Sequence, residues 1–145
     1  MAFDDEYFMR QALAEAKKAY DEGEVPIGAV LVCNDKIVAK AHNLTETLSD
    51  ATAHAEILAL TAAENSLASK YLPECAMYVT VEPCVMCAGA MFWTKIRTLV
   101  YGAADEKFGY SVKAPAALHP KTEVRSGVLA GECAQLMKDF FKQRR

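Results

Sequence analysis

The sequence predicts an α/β fold, three layers α/β/α about a five-stranded mixed sheet, and three observations carry that reading. A β-rich hairpin comes early, between Ile27 and Ala41. Helical and strand-like segments then alternate to the end of the chain, which places helices on the faces of one sheet. Finally, 145 residues with 52% apolar and 24% charged content suffice for one sizeable core and are too apolar for disorder. No internal repeat, low-complexity run or linker divides the chain, so residues 1–145 read as a single domain.

Each element has its own signal. Asp4 or Asp5 can cap a first helix whose apolar stripe is Met9, Leu13, Ala16 and Tyr20. Gly23 is a natural stop, and Pro26 lies just past it. Ile27 to Cys33 is a β-rich run, Asn34-Asp35 is a turn, and Lys36 to Ala41 is the returning strand. A second helix begins at Thr52 or Ala53 and holds His54, Glu56, Ile57, Leu60 and Ala63. Ala76 to Val81 reads as a strand ended by Pro83, Cys84 to Trp93 as a helix, and Thr98 to Ala103 as another strand. A loop with Pro115 and Pro120 follows, then a short strand at Glu123 to Val128. The last helix sets Leu129, Cys133, Leu136, Met137 and Phe140 on one face.

Composition narrows the function classes. Net charge is −3 and the isoelectric point is near 5.6, which gives no support for nonspecific nucleic-acid binding. A local basic tip does close the chain, from Lys138 to Arg145 with Phe140 and Phe141 in it, and reads plainly as a solvated helix end. The apolar stretch Pro83 to Thr94 is too short to span a bilayer, and the start Met-Ala-Phe-Asp-Asp-Glu is acidic where a signal peptide would be basic. Five cysteines, two of them in a C-x-x-C, fit a reducing compartment better than a disulfide scaffold. A soluble cytoplasmic protein with no membrane partner is expected.

Two strings carry the chemistry: His54-Ala55-Glu56 and, about thirty residues on, Pro83-Cys84-Val85-Met86-Cys87. His54, Cys84 and Cys87 are three ligands for Zn2+, which leaves a tetrahedral ion one open position for water. Two thiolates and one imidazole favour zinc over other metals. Cys84 and Cys87, three apart on a helix, share a face, and thiolates in a first turn gain from the positive end of the helix dipole. Pro83 costs nothing at a helix start. Glu56, beside the first ligand, is placed to move protons between that water and a substrate. A closed structural zinc would instead need a fourth ligand from Cys33, Cys75, Cys133, His42 or His119, and none of these lies in a second ligand-spaced pair. A redox C-x-x-C would leave His54 and Glu56 without a task.

With these motifs the chain resembles the cytidine-deaminase-like superfamily, whose zinc signature is H-x-E followed by P-C-x-x-C. Within it, the chain looks most like the bacterial tRNA adenosine deaminases. The likeness extends through Gly23 to Val30, Ala41 to Thr47, Thr52 to Glu56, Tyr78 to Ala90, Val100 to Asp105 and Gly127 to Ala130, with Cys133 and Phe140-Phe141. It implies attack by a zinc-activated water at C6 of a wobble adenosine, with Glu56 protonating first the ring and then the leaving ammonia, to give inosine. It implies that Asn43 hydrogen-bonds the base, that Val25, Pro26 and Ala55 pack on it, and that Asp105 lies near the nucleotide backbone. Phe140, Phe141 and Arg144 would hold loop nucleotides. Plainer readings stand beside these: Asn43 capping a strand end, Asp105 capping a short helix, the two phenylalanines in the core. The resemblance also implies a homodimer whose partner helps form the groove for tRNA, an arginine tRNA being the expected substrate.

After Asp105 the chain departs from the tRNA branch. It reads Phe108 to Pro115 and then Leu118 to Thr122, where that branch is longer and ends in Asn-His-Arg. Phe92-Trp93 has a flavour of guanine deaminases. The alternative is therefore a free-base or nucleoside deaminase acting on guanine or cytosine. A terminal helix folded over the site favours that alternative, because a small substrate needs a protein lid. Lys107, Lys113, Lys121, Arg125 and Arg144 gathered around the pocket favour tRNA.

Overall fold

The computed structural model of the protein describes residues 4–144; Met1–Phe3 of the acidic start and Arg145 of the basic tip lie outside them. Helix α1 (Asp5–Asp21) starts where the sequence places it, with the Asp4 carboxylate accepting the Tyr7 N–H at 2.9 Å. Strands β1 (Gly28–Cys33) and β2 (Lys36–His42) form the expected hairpin. Asn34 and Asp35 both have positive φ, 52° and 62°, as a two-residue turn matched to strand twist requires. Helix α2 (Ala55–Leu67), strand β3 (Cys75–Val81), helix α3 (Val85–Thr94) and strand β4 (Thr98–Ala103) follow. The stretch read as loop contains a short helix α4 (Tyr110–Lys113) and a 3-10 turn (Pro115–Ala117). Strand β5 (Glu123–Ser126) stops two residues earlier than expected, and α5 (Ala130–Gln143) ends the chain.

The five strands form one mixed sheet in the order β2-β1-β3-β4-β5. β1 is antiparallel to both neighbours, whereas β3, β4 and β5 run parallel. β1 is buried along its whole length, which explains why it reads as a continuous apolar run. One core lies between the sheet and α2 and α3, built on Leu31, Leu60, Met77, Met91 and Leu99. The other lies on the opposite face under α1 and α5, built on Phe8, Met9, Leu13, Val30 and Val100. The α/β/α layering predicted from the alternation is what forms. Gly28 lets α1 lie close: a Cβ there would sit 2.1 Å from the Ala12 carbonyl oxygen. Among the described residues no helix is long and apolar enough to cross a membrane.

The cysteine expectation needs correcting. Cys33 and Cys75 face each other in the β1–β3 register and are joined in a disulfide. The sequence could not show this, because the two are 42 residues apart and meet only through strand pairing. It remains a single bridge rather than a disulfide framework; Cys84, Cys87 and Cys133 are free.

Candidate active site

The site assembles at the carboxyl end of β3, where the chain passes through Pro83 into α3 and where α2 begins beside it. Helix α2 starts two or three residues later than the sequence suggests and α3 one residue later, and the shift matters. His54 is the N-cap of α2 and Cys84 the N-cap of α3. N-cap positions favour Ser, Thr, Asp or Asn, whose side chains satisfy free N–H groups of the first turn. Here neither side chain caps its helix. Each turns toward the other instead: the His54 Nδ1 lies 3.6 Å from the Cys84 Sγ and 3.5 Å from the Cys87 Sγ.

That spacing tests the metal directly. Bonds of about 2.3 Å to sulfur and about 2.0 Å to nitrogen, at the tetrahedral angle, put those atoms about 3.5 Å apart. The three donors lie within 4.8 Å of one another and are the group of this kind among the described residues. No fourth donor joins them. Cys33 and Cys75 are consumed by their disulfide, and Cys133 is buried on the other face of the sheet. His42 is held between Glu15 and Glu22, and the His119 ring lies on Phe92. The residues present therefore fit a tetrahedral ion with one open position, and do not fit a closed structural centre.

The two thiols share their protons unequally. The Cys87 thiol beside it, and then His54, bring Cys84 down to about 4. Cys87, the proton donor in that pair and fully buried, is pushed up. Burial raises the Glu56 carboxyl to about 7. A cavity of about 190 Å³ opens beside the donors and is lined by Val25, Ile27, Asn43, Thr45, His54, Ala55 and Glu56. Five of these are residues singled out from the sequence; Ile27 and Thr45 were not.

The other expected contact residues lie elsewhere. Pro26 is fully buried behind the wall that Val25 and Ile27 present. Asp105 accepts the N–H groups of Lys107 and Phe108 and so closes its own turn. Phe140 is buried against Tyr20, Phe141 is half-exposed, and Arg144 stacks on Phe140 while donating to the Gly23 carbonyl at 3.1 Å. None of the three lines the cavity, so α5 does not form a lid. Nor do the five cations make one rim. Arg125 is paired with Asp5 at 2.7 Å, and Lys121 lines a separate groove.

Sequence reasoning also missed two buried carboxylates that hold the edges of the site. Glu24, with no exposed surface, accepts from the Glu46 and Thr47 N–H groups and from the Thr47 hydroxyl. This ties the loop carrying Thr45 to the segment carrying Val25. Burial works against the Glu24 charge, but these bonds overcome it and hold its pKa below the usual glutamate value. Glu82, one residue before Pro83, accepts from the Asp105 N–H and from the Ser111 N–H and hydroxyl. It fastens the divergent segment against the metal loop, helped by a Tyr110 N–H bond to the Pro83 carbonyl at 2.9 Å. The available signal was an acidic residue at the end of an apolar strand, Val-Thr-Val-Glu-Pro.

Comparisons with known proteins match this geometry. The MafB19-like deaminase family profile covers residues 3–145. The chain is 44% identical to the tRNA-specific adenosine deaminase of Bacillus subtilis, over 97% of this chain and 91% of that protein. It is 45% identical to the chloroplastic tRNA(adenine(34)) deaminase of Arabidopsis thaliana over the same share, but spans only 12% of that longer protein. A solved tRNA:A34 deaminase, studied for A-to-I editing at the wobble position, superposes with a TM-score of 0.83 at 42% identity, over 90% of this chain and 98% of that one. Guanine deaminase from Nitrosomonas europaea has the same fold, with a TM-score of 0.84 at 25% identity over 97% and 85%. On its fold, its donor triangle and these relatives, the chain belongs to the MafB19-like deaminase family.

Proposed function

We propose that this protein is a zinc-dependent hydrolytic deaminase that converts the wobble adenosine of a tRNA anticodon to inosine. The carrying observation is that a tetrahedrally spaced His54, Cys84 and Cys87 share one open cavity with Glu56. A zinc ion held by those three residues would supply a water activated for attack at neutral pH. Glu56, on the cavity wall, would carry one proton from that water to the purine ring nitrogen and the water oxygen's second proton to the leaving amine, so that water and adenosine give inosine and ammonia. Asn43, whose side chain donates to the Val25 carbonyl and accepts the Thr45 N–H, is oriented to read the base edge. Val25, Ile27 and Ala55 supply its apolar walls. Asp105, Phe141 and Arg144 stay with this reading as contacts to nucleotides flanking the base, outside the cavity itself, while Phe140, buried against Tyr20, backs Arg144.

An open cavity suits a base presented on RNA, since anticodon-loop bases are already unpaired and can be splayed into a pocket. A free-base deaminase needs a cover, and no residue of α5 lines the cavity. The reading further includes a cytoplasmic homodimer. Support for the dimer comes from large apolar side chains left exposed on α3 and in the segment after Asp105, Trp93 at 71% and Phe108 at 64% among them.

The test is nucleoside analysis by mass spectrometry after incubation with an arginine tRNA bearing an ACG anticodon, beside tubes of free adenosine, guanine, cytosine and cytidine. Inosine in the tRNA alone is the expected result. Turnover of a free base with the tRNA untouched would replace this reading by the small-molecule one.

A further inference from the structure

A groove at the far end of α3 from the metal donors has no part in the site just described. It measures about 460 Å³ and is lined by Lys95, Arg97, His119 and Lys121 together with Pro73, Ile96 and Thr122. No carboxylate lines it. Among the described residues, Lys95, Arg97 and Lys121 make no ion pair, as holds for most of the other lysines and arginines, and Lys95 lies over the Phe92 and Trp93 rings. In a chain of net charge −3 this is a local reversal of sign. The His119 Nδ1 accepts the Lys121 N–H at 3.0 Å, so the neutral ring carries its proton on Nε2 and offers a further donor. Its ring is backed by Phe92 at 5.0 Å. The strip is bounded on one side by a depression that Arg97 shares with Asp35, Glu74 and Glu123.

Donors and unpaired cations beside apolar side chains complement a ribose–phosphate strand, which presents anionic oxygens beside apolar sugar faces. The distance is informative. Cys84 caps the start of α3 and Lys95 its end, ten helical residues later, or about 15 Å along the axis. This span is longer than a single base. A free base in the cavity cannot reach the groove, and a polynucleotide can.

We infer that the Lys95–Arg97–His119–Lys121 groove binds the RNA backbone beyond the reacting adenosine. This rests on the tRNA reading above and extends it to where the rest of the substrate is held. Phosphate contacts of this kind set affinity and its salt dependence and leave the chemical step alone.

The experiment compares three proteins on whole tRNA: wild type, the triple variant Lys95→Gln/Arg97→Gln/Lys121→Gln, and a control with the same charge change on other faces, Lys17→Gln/Lys36→Gln/Lys138→Gln. Initial rates give kcat and KM. Filter binding with each set in a Glu56→Ala background gives affinity against salt, independent of turnover. The groove variant is expected to raise KM roughly tenfold, keep kcat, and flatten the slope of log affinity against log salt by about 2, while the control stays within about twofold of wild type. Groove and control variants behaving alike, or a loss confined to kcat, would overturn the groove and leave the tRNA reading standing. A change of oligomeric state in the groove variant, seen by gel filtration, would assign the surface to subunit contact and also overturn it. A wild-type protein that neither binds nor modifies tRNA would remove both.

Discussion

Glu56 and Cys87 are both buried beside the same cavity, yet substitution should separate their roles. Glu56→Ala removes the proton carrier without touching a donor. Turnover should fall by about 10² to 10⁴ while one metal ion per chain, measured by atomic absorption, is retained. Cys87→Ala should lose the metal and lower the melting temperature, because His54 and Cys84 alone leave the site half-built; full metal content in that variant would mean the ligand set is wrong. Glu24 makes a prediction about pH. Its pKa is held below the ordinary glutamate value, so its contribution to stability is present above about pH 4.3 and disappears as pH falls through the folded-state value. Glu24→Gln should therefore cost about 2 kcal/mol at pH 7, from charge-assisted bonds lost at the 46–47 loop, and the gap to wild type should close toward pH 3. Urea melts across that range measure it, and a constant gap at all pH values would mean the carboxylate charge is irrelevant.

Between elements, the close approach of α1 to β1 is the tightest requirement in the fold. Gly28 has the Ala12 carbonyl oxygen 2.1 Å and the Ala16 N 2.4 Å from where a Cβ would be, and both are helix backbone that cannot rotate away. Gly28→Ala should push α1 off the sheet and cost about 3 kcal/mol in a denaturant titration, at the upper end of overpacking effects. Because α1 packs on the sheet face opposite the one that carries the metal donors, metal affinity should change far less than stability. A proportional loss of metal would show that α1 packing is coupled to the α2–α3 face.

For the molecule as a whole, the exposed apolar side chains Met86, Trp93, Phe108 and Val112 are the feature a lone chain leaves unexplained. A charged residue at 93 should not disturb either core, since Trp93 lies outside both. Trp93→Asp should convert a dimer to a monomer in sedimentation velocity at micromolar concentration while the circular dichroism spectrum is unchanged. Wild-type protein sedimenting as a monomer at the same concentration would exclude the dimer.

Local physics made most of the elements legible. The Asp4 cap, the Asn34-Asp35 turn, the continuous apolar run of β1 and the limits of β4 are each decided by a few adjacent residues, and they appear where the sequence puts them. That His54, Cys84 and Cys87 would converge beside Glu56 was legible for a similar reason: donor residues at helix starts leave a signature in residue type and spacing. What the sequence could not show is what depends on two distant segments meeting. The Cys33–Cys75 bridge exists because β1 pairs with β3, and the two carboxylate anchors exist because Glu24 and Glu82 meet N–H groups more than twenty residues away. The divergent 108–122 segment reads as loop because its helix is four residues long, too short for periodicity to register, and it is held by Glu82 and by burial of Tyr110 and Leu118. The sequence by itself determined the chemistry, since that resides in side chains and short spacings. Only the tertiary structure decided the open cavity, the dispersal of the five expected cations and the gathering of Lys95, Arg97 and Lys121 into a groove, since these depend on where the sheet brings remote segments together.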